Sequence, residues 1–304
     1  MSDRLGINTC FAVKRWPEPE RWAGIVRQLG LRVVQHSLDL VDLDAPGPLL
    51  RQQATALRSA CQRHGLTLHS TFTGLAAYSG NLLLHPEPAM RARAERWYRR
   101  AIDFSAAAGA RATGGHVGAY SVADWRSPAR RQALEAGLLA ALRRLAGHAR
   151  RAGLEALYVE NLAAAREPST MDWVTRLLSD GDAGHVPVAL CLDVGHQCVP
   201  GSSGDERDPY AWLRRLGARA PVVQLQQSDP DGDHHWPFTP ARNAAGRIDA
   251  HRVLDALDAA GASRALLVLE VIPPFEQDDD QVLDDLAASV AYWRGAMATR
   301  PVPG

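Results

Sequence analysis

Eight short apolar or β-branched runs recur along the chain, each followed by a longer Ala-, Leu- and Arg-rich stretch of helical period, and few architectures accommodate that alternation. The runs are Gly6–Thr9, Val33–His36, Thr67–Thr71, Ala112–His116, Ala156–Glu160, Ala189–Asp193, Val222–Gln226 and Leu266–Glu270. The helical stretches between and after them are Pro19–Leu29, Leu49–His64, Ala89–Ala108, Pro128–Arg151, Thr170–Leu178, Tyr210–Leu216, Asp249–Ala260 and Asp280–Ala296. Glycine closes several of these stretches just before a strand, as in Leu29-Gly30, Ala108-Gly109 and Ala152-Gly153, where a helix commonly ends in a left-handed turn. Eight βα units without a composition shift between halves predict one α/β domain over 1–304, a (β/α)8 TIM barrel. The competing architecture is a doubly wound open sheet, and it is weakened because no strand runs into G-x-G-x-x-G or a P-loop. Pro200–Gly204 is expected to be a loop over the site, and Pro301–Gly304 a frayed tail.

Lys+Arg and Asp+Glu balance at 34 each, which argues against nucleic acid or an anionic membrane as the main partner, since both select a basic surface. The start, Met1-Ser-Asp-Arg-Leu, lacks the apolar core of a signal peptide, and no run approaches a membrane span, so a cytoplasmic location is expected. Self-association as a homodimer or homotetramer is left open. Cys10, Cys61, Cys191 and Cys198 form no C-x-x-C pair and are expected to pack as free thiols.

In a parallel barrel, polar residues at the last position of a strand face the catalytic end. Four strand ends here finish on oxygen-bearing side chains, at Glu160, Asp193, Gln226 and Glu270. A carboxylate at the end of an apolar strand is costly unless a cation or hydrogen-bond partner meets it, and three together would repel one another. An oxygen-rich set of this kind suits Mg2+ or Mn2+, with Co2+ also admissible. The spacings are 33, 33 and 44 positions, which correspond to one βα unit, one βα unit, and one unit with a longer loop. The bland alternative for the carboxylates is a salt bridge across strand ends; for Gln226 it is a hydrogen bond to a neighbouring loop.

The V-E-N around Glu160, the L-D-V-G-H from Leu192 to His196 and the L-E at Glu270 resemble the xylose-isomerase-like barrels, which include ketose 3-epimerases and hydroxypyruvate isomerase. The resemblance covers nearly the whole barrel, with its specific motifs between Glu160 and Glu270. It implies one divalent ion held by side chains on strands five to eight. There is one departure. Where the family carries a metal-binding His on strand seven, this chain has Gln226-Gln-Ser-Asp229, so Gln226 is expected to ligate through its side-chain carbonyl. The same stretch, with His234-His-Trp-Pro-Phe-Thr after it, is similar to a subgroup associated with tetrulose phosphates.

The resemblance also implies that His196 touches substrate hydroxyls. His116, after two glycines at the end of strand four, and His69 on strand three are further candidates for lining the site, although a histidine at a strand end is often simply bonded within the core. His234, His235 and Trp236 follow strand seven and are expected to contact substrate or phosphate, with Trp236 and Phe238 narrowing the mouth. Arg166 stands where related 3-epimerases for free sugars carry a carboxylate, so a phosphate or carboxylate on the substrate is expected there; an exposed loop arginine is the bland alternative.

These features predict an isomerase or epimerase of a small sugar or sugar phosphate. Proton transfer next to a carbonyl needs a base and stabilisation of the resulting cis-enediolate, and Glu160 and Glu270 are the expected acid and base. Transfer across two faces gives epimerisation, and relay on one face gives aldose–ketose isomerisation. A lyase or dehydratase on a keto-sugar could use the same first step. The same superfamily includes endonucleases acting on abasic DNA, against which the balanced charge and the strand-seven Gln both count.

Overall fold

A computed structural model describes residues 4–299. The strands are β1 (Leu5–Asn8), β2 (Val33–Ser37), β3 (Thr67–Phe72), β4 (Ala112–Gly115), β5 (Ala156–Glu160), β6 (Val188–Asp193), β7 (Val222–Leu225) and β8 (Leu266–Leu269). They follow one another in chain order around a closed barrel, and the pairings are parallel, as in Gly6↔Val33, Gly114↔Tyr158 and Val222↔Leu266. Every residue of β1, β2, β4, β5, β7 and β8 is buried, the state of parallel strands covered on both faces. That is why these segments read as apolar runs without alternation. The (β/α)8 expectation therefore holds, and the open sheet does not. Pro301–Gly304 lies outside the described residues.

The helices begin where proline can take the first position, as at Pro19, Pro88, Pro128 and Pro209, because its missing N–H is not needed there. Side-chain caps add to this: Ser127 accepts from Arg130 N, and Asp249 from Arg252 N. The helix Pro128–Ala152 ends on Gly153 at φ 87, the left-handed stop its sequence predicts. Short helices at Leu75–Tyr78, Val122–Arg126 and Pro240–Ala245 have no sequence counterpart above, since one turn carries too little period to detect. Among the described residues no helix is long and apolar enough to cross a membrane.

By contacts the chain gathers into two compact units. One holds Ala60–Thr67 and the flanking parts of the chain up to Gln35 and from Cys191; the other holds His36–Ser59 and Leu68–Leu190. The first is filled by Trp22, Trp212, Trp293, Phe11 and Phe238. The second is filled by a cluster including Leu84, Ile102, Leu138, Leu145 and Val159. In this second unit β4 turns out of the sheet at Gly115, whose φ of 129 suits only glycine, and a Cβ there would run into Thr73. Strand four consequently stops one residue short of the expected end, leaving His116 just past it.

Candidate functional site

Within the first unit, Glu270 is the residue immediately after β8, and its backbone N–H donates to Leu225 O at 2.9 Å. Its Oε1 accepts from Asn8 Nδ2 at 2.8 Å and Gln224 Nε2 at 2.7 Å. Both amides also donate to Gln35 Oε1, at 2.9 Å each, so three buried carboxamides form a floor under the carboxylate. Asp193 ends β6 fully buried. Its Oδ1 accepts from Gly195 N at 2.6 Å and from Gln226 Nε2 at 3.1 Å. The first is a local turn bond of the kind aspartate makes with the backbone two residues on.

Gln226, the first residue past β7, also donates through Nε2 to Asp233 Oδ1 at 2.7 Å, and its Oε1 accepts from His235 N at 2.6 Å. Turning the amide over would set its oxygen against two carboxylates, so the pattern fixes which end is which. The oxygen expected to ligate a metal is thus the one that holds the following loop.

Asp233 bridges two imidazoles, with Oδ2 3.3 Å from His196 Nε2 and Oδ1 3.3 Å from His235 Nε2. Burial raises the Asp233 carboxyl, but His196 and His235 more than offset this and hold it well below the usual carboxylate range. Burial on its own would lower His235; Asp233, Glu270 and Asp193 instead carry it up to about 10. His235 takes φ 48, a left-handed conformation uncommon outside glycine. Its ring meets that of His196 edge-on, with centroids 5.5 Å apart. One ligand atom each from Asp193, His196 and His235 lie within 4.8 Å of one another.

The adjacent His234 goes elsewhere: its Nε2 lies 3.1 Å from Asp229 Oδ1 and its ring stacks on Trp236 at 3.9 Å. Trp236 is capped on its face by Arg242. Phe238 does not narrow any mouth. It is 1% exposed and packs against Tyr292 and Trp293, because the loop dives back into the apolar layer after Pro237.

Within the second unit, Glu160 ends β5 fully buried, and its Oε2 accepts from Tyr78 Oη at 2.7 Å. Tyr78 sits at the end of the short helix Leu75–Tyr78, which Asp39 anchors by accepting from Leu75 N at 2.6 Å and Ala76 N at 3.1 Å. The Tyr78 ring stacks on His116 with centroids 4.8 Å apart. His116 is fully buried. Its N–H donates to Thr73 Oγ1 at 2.8 Å, its carbonyl accepts from the Tyr98 hydroxyl, and Glu167 approaches its Nε2 at 4.0 Å. Arg166 is exposed, with Nε donating to Tyr120 O at 3.1 Å.

His69 departs from expectation. It lies three residues before the end of β3, stacked on Tyr158 at 6.3 Å, and burial lowers it to about 4, with Arg111 pushing the same way. Arg111 and Glu155 directly precede β4 and β5, so His69 keeps company with strand beginnings rather than strand ends.

The xylose isomerase-like TIM barrel model matches residues 23–290. The chain belongs to that family. This barrel is 29% identical over 300 residues, 96% of each chain, to a D-erythrulose 1-phosphate 3-epimerase of Brucella abortus. It is 38% identical to a crystal structure from Rhodospirillum rubrum with a provisional xylose isomerase designation, at a TM-score of 0.88 over 96% of this chain and 98% of that one. A D-psicose 3-epimerase from Clostridium cellulolyticum shares the fold at 16% identity, with a TM-score of 0.69 over 97% of this chain and 99% of that one. This xylose isomerase-like barrel is an enzyme of the sugar isomerase and epimerase kind.

Five residues that contact or brace the candidate side chains escape the sequence reading: Asn8, Gln35, Gln224 and Asp233 in the first unit and Tyr78 in the second. Gln224 was the most accessible of them, since it stands two residues before Gln226 and strand residues two apart share a face. Tyr78 and Asp233 sit in irregular loops and carry no such signal. Tyr78→Phe should lower kcat about tenfold with little change in KM, the loss of one hydrogen bond to a charged group; steady-state kinetics on the purified variant reads it, and an unchanged kcat removes Tyr78 from the machinery.

Proposed function

We propose that this family member is a divalent-metal-dependent 3-epimerase of a small ketose phosphate, with a four-carbon ketose favoured. The observation that carries the reading is that β5, β6 and β8 each end on, or just before, a buried carboxylate, at Glu160, Asp193 and Glu270. The hydrogen bonds described above reach these carboxylates from neutral groups: a phenol, a backbone N–H and three amides. These donors orient the carboxylates, whose oxygens are the ligand type a hard divalent ion prefers.

Glu160, Asp193 and Glu270 would hold the divalent ion, which would supply Lewis-acid polarisation of a substrate carbonyl. Glu160 and Glu270 do the proton work in this reading, one removing the proton beside the carbonyl and the other returning it to the opposite face. Tyr78 holds Glu160 by one oxygen, and the amide floor holds Glu270 by one oxygen, which limits each carboxylate's reach to a single direction. Removal and return on opposite faces gives epimerisation, and likeness to a Brucella D-erythrulose 1-phosphate 3-epimerase supports a reading in which carbon three of a tetrulose phosphate is inverted.

Incubation of a keto-tetrose phosphate with the enzyme in deuterated water, followed by NMR, tests the reaction. Deuterium at carbon three with formation of the epimer is expected. Formation of an aldose, or loss of a leaving group, would replace epimerisation by isomerisation or by a lyase. Matched ketoses with and without the phosphate should differ in kcat/KM by more than about tenfold, or roughly 1.4 kcal/mol. A smaller ratio removes phosphate from the substrate class, and a ratio that survives Arg166→Ala moves the phosphate contact away from Arg166.

A further inference from the structure

We infer that His235, from the loop after β7, supplies an imidazole nitrogen to the ion held by Asp193 and Glu270, in place of a ligand from β7 itself. The inference rests on the metal-dependent reading above. It begins from what Gln226 already holds. Its amide oxygen is engaged by His235 N at 2.6 Å, and its amide nitrogen is committed to Asp193 and Asp233. Those bonds leave Gln226 as the brace of the loop.

The ring it braces arrives beside the carboxylates. His235 Nδ1 lies 3.7 Å from Glu270 Oε2 and 3.3 Å from the Glu270 main-chain oxygen. A ligand nitrogen of His235 also falls within 4.8 Å of one from His196 and an oxygen of Asp193. Ligand bonds of roughly 2.0 to 2.3 Å set atoms sharing one ion up to about 4.5 Å apart, and the 3.7 Å between His235 Nδ1 and Glu270 Oε2 falls within that span.

The other face of the ring carries the partner such a ligand needs. Histidines that ligate metals ordinarily give their second N–H to a carboxylate, which fixes tautomer and direction. Here Nε2 lies 3.3 Å from Asp233 Oδ1. The backbone is strained into this arrangement, with φ 48 at His235, and is held on both sides by Gln226 Oε1 and by Ile272 N donating to His235 O at 3.1 Å. Strain pinned from two directions is characteristic of a functional position, and the neighbouring His234, which turns away, shows that the loop need not send a ring inward.

A mixed nitrogen and oxygen set shifts preference from Mg2+ towards Mn2+ and Co2+. Calorimetric titration of apo enzyme with Co2+ and Mg2+ tests this on wild type, His235→Ala, His235→Asn and His234→Ala. His235→Asn tolerates the left-handed backbone and retains an oxygen donor, which guards against a loop that collapses in the alanine variant. Expected are Co2+ affinities lower by about 10- to 100-fold in both His235 variants, a smaller change for Mg2+, an altered visible spectrum of bound Co2+, and no change in His234→Ala. Wild-type affinity and spectrum in both His235 variants overturn this inference alone. A wild type that binds no divalent ion overturns the metal-dependent reading, and this inference with it.

Discussion

Replacing either glutamate, in Glu160→Gln or Glu270→Gln, should lower kcat by at least about 100-fold, the usual loss when an acid or base group is removed. The two variants should remain folded. The hydrogen bonds to each carboxylate are donated by Tyr78, or by Asn8 and Gln224, and a glutamine carbonyl can accept the same bonds. Circular dichroism and thermal unfolding check the fold, and turnover checks the chemistry. The isotope experiment sharpens the comparison: a variant that still exchanges the carbon-three proton but no longer inverts has kept its base and lost its acid. Near-normal rates in both variants would withdraw the proton-transfer roles.

Removing the metal should have the larger effect. Lewis-acid polarisation contributes several kcal/mol to such a transition state, and about 4 kcal/mol corresponds to roughly 1000-fold in rate. Exhaustive chelation is therefore expected to depress turnover by about that factor, with recovery on adding Mn2+ or Co2+. Stability should follow, since an ion binding only the folded state at 100 times its Kd adds about 2.7 kcal/mol. A lower Tm after chelation, restored by the ion, is the second measurement. Full turnover in protein shown by elemental analysis to be metal-free would remove the ion from the reaction.

The fold was legible because its signal is distributed. Each βα unit contributes an apolar run and a helical period, and errors of one or two residues at the ends, such as strand four stopping at Gly115, leave the count intact. Glu160, Asp193 and Glu270 were legible for a related reason: the end of an apolar strand is a costly place for a charge, so each stands out from its neighbours. The loops were not. His234 and His235 are adjacent and chemically identical, and only the backbone at φ 48 sends one ring towards Asp193 and leaves the other on Trp236. Phe238 looked like a mouth residue because its loop followed a strand end, whereas its burial depends on Trp293, 55 residues later. Tyr78 meets Glu160 across 82 residues. Contacts at that separation leave no local pattern.

The carboxamide floor has a consequence for denticity. With Oε1 tied to Asn8 and Gln224, Glu270 can offer an ion one oxygen at a time. A two-oxygen grip would break both bonds, each worth about 1.5 kcal/mol or more when the acceptor is charged. That cost of about 3 kcal/mol keeps the chelating arrangement below roughly 1% of the population. In the metal-dependent reading, a glutamate held to one oxygen would leave room for both neighbouring oxygens of a sugar.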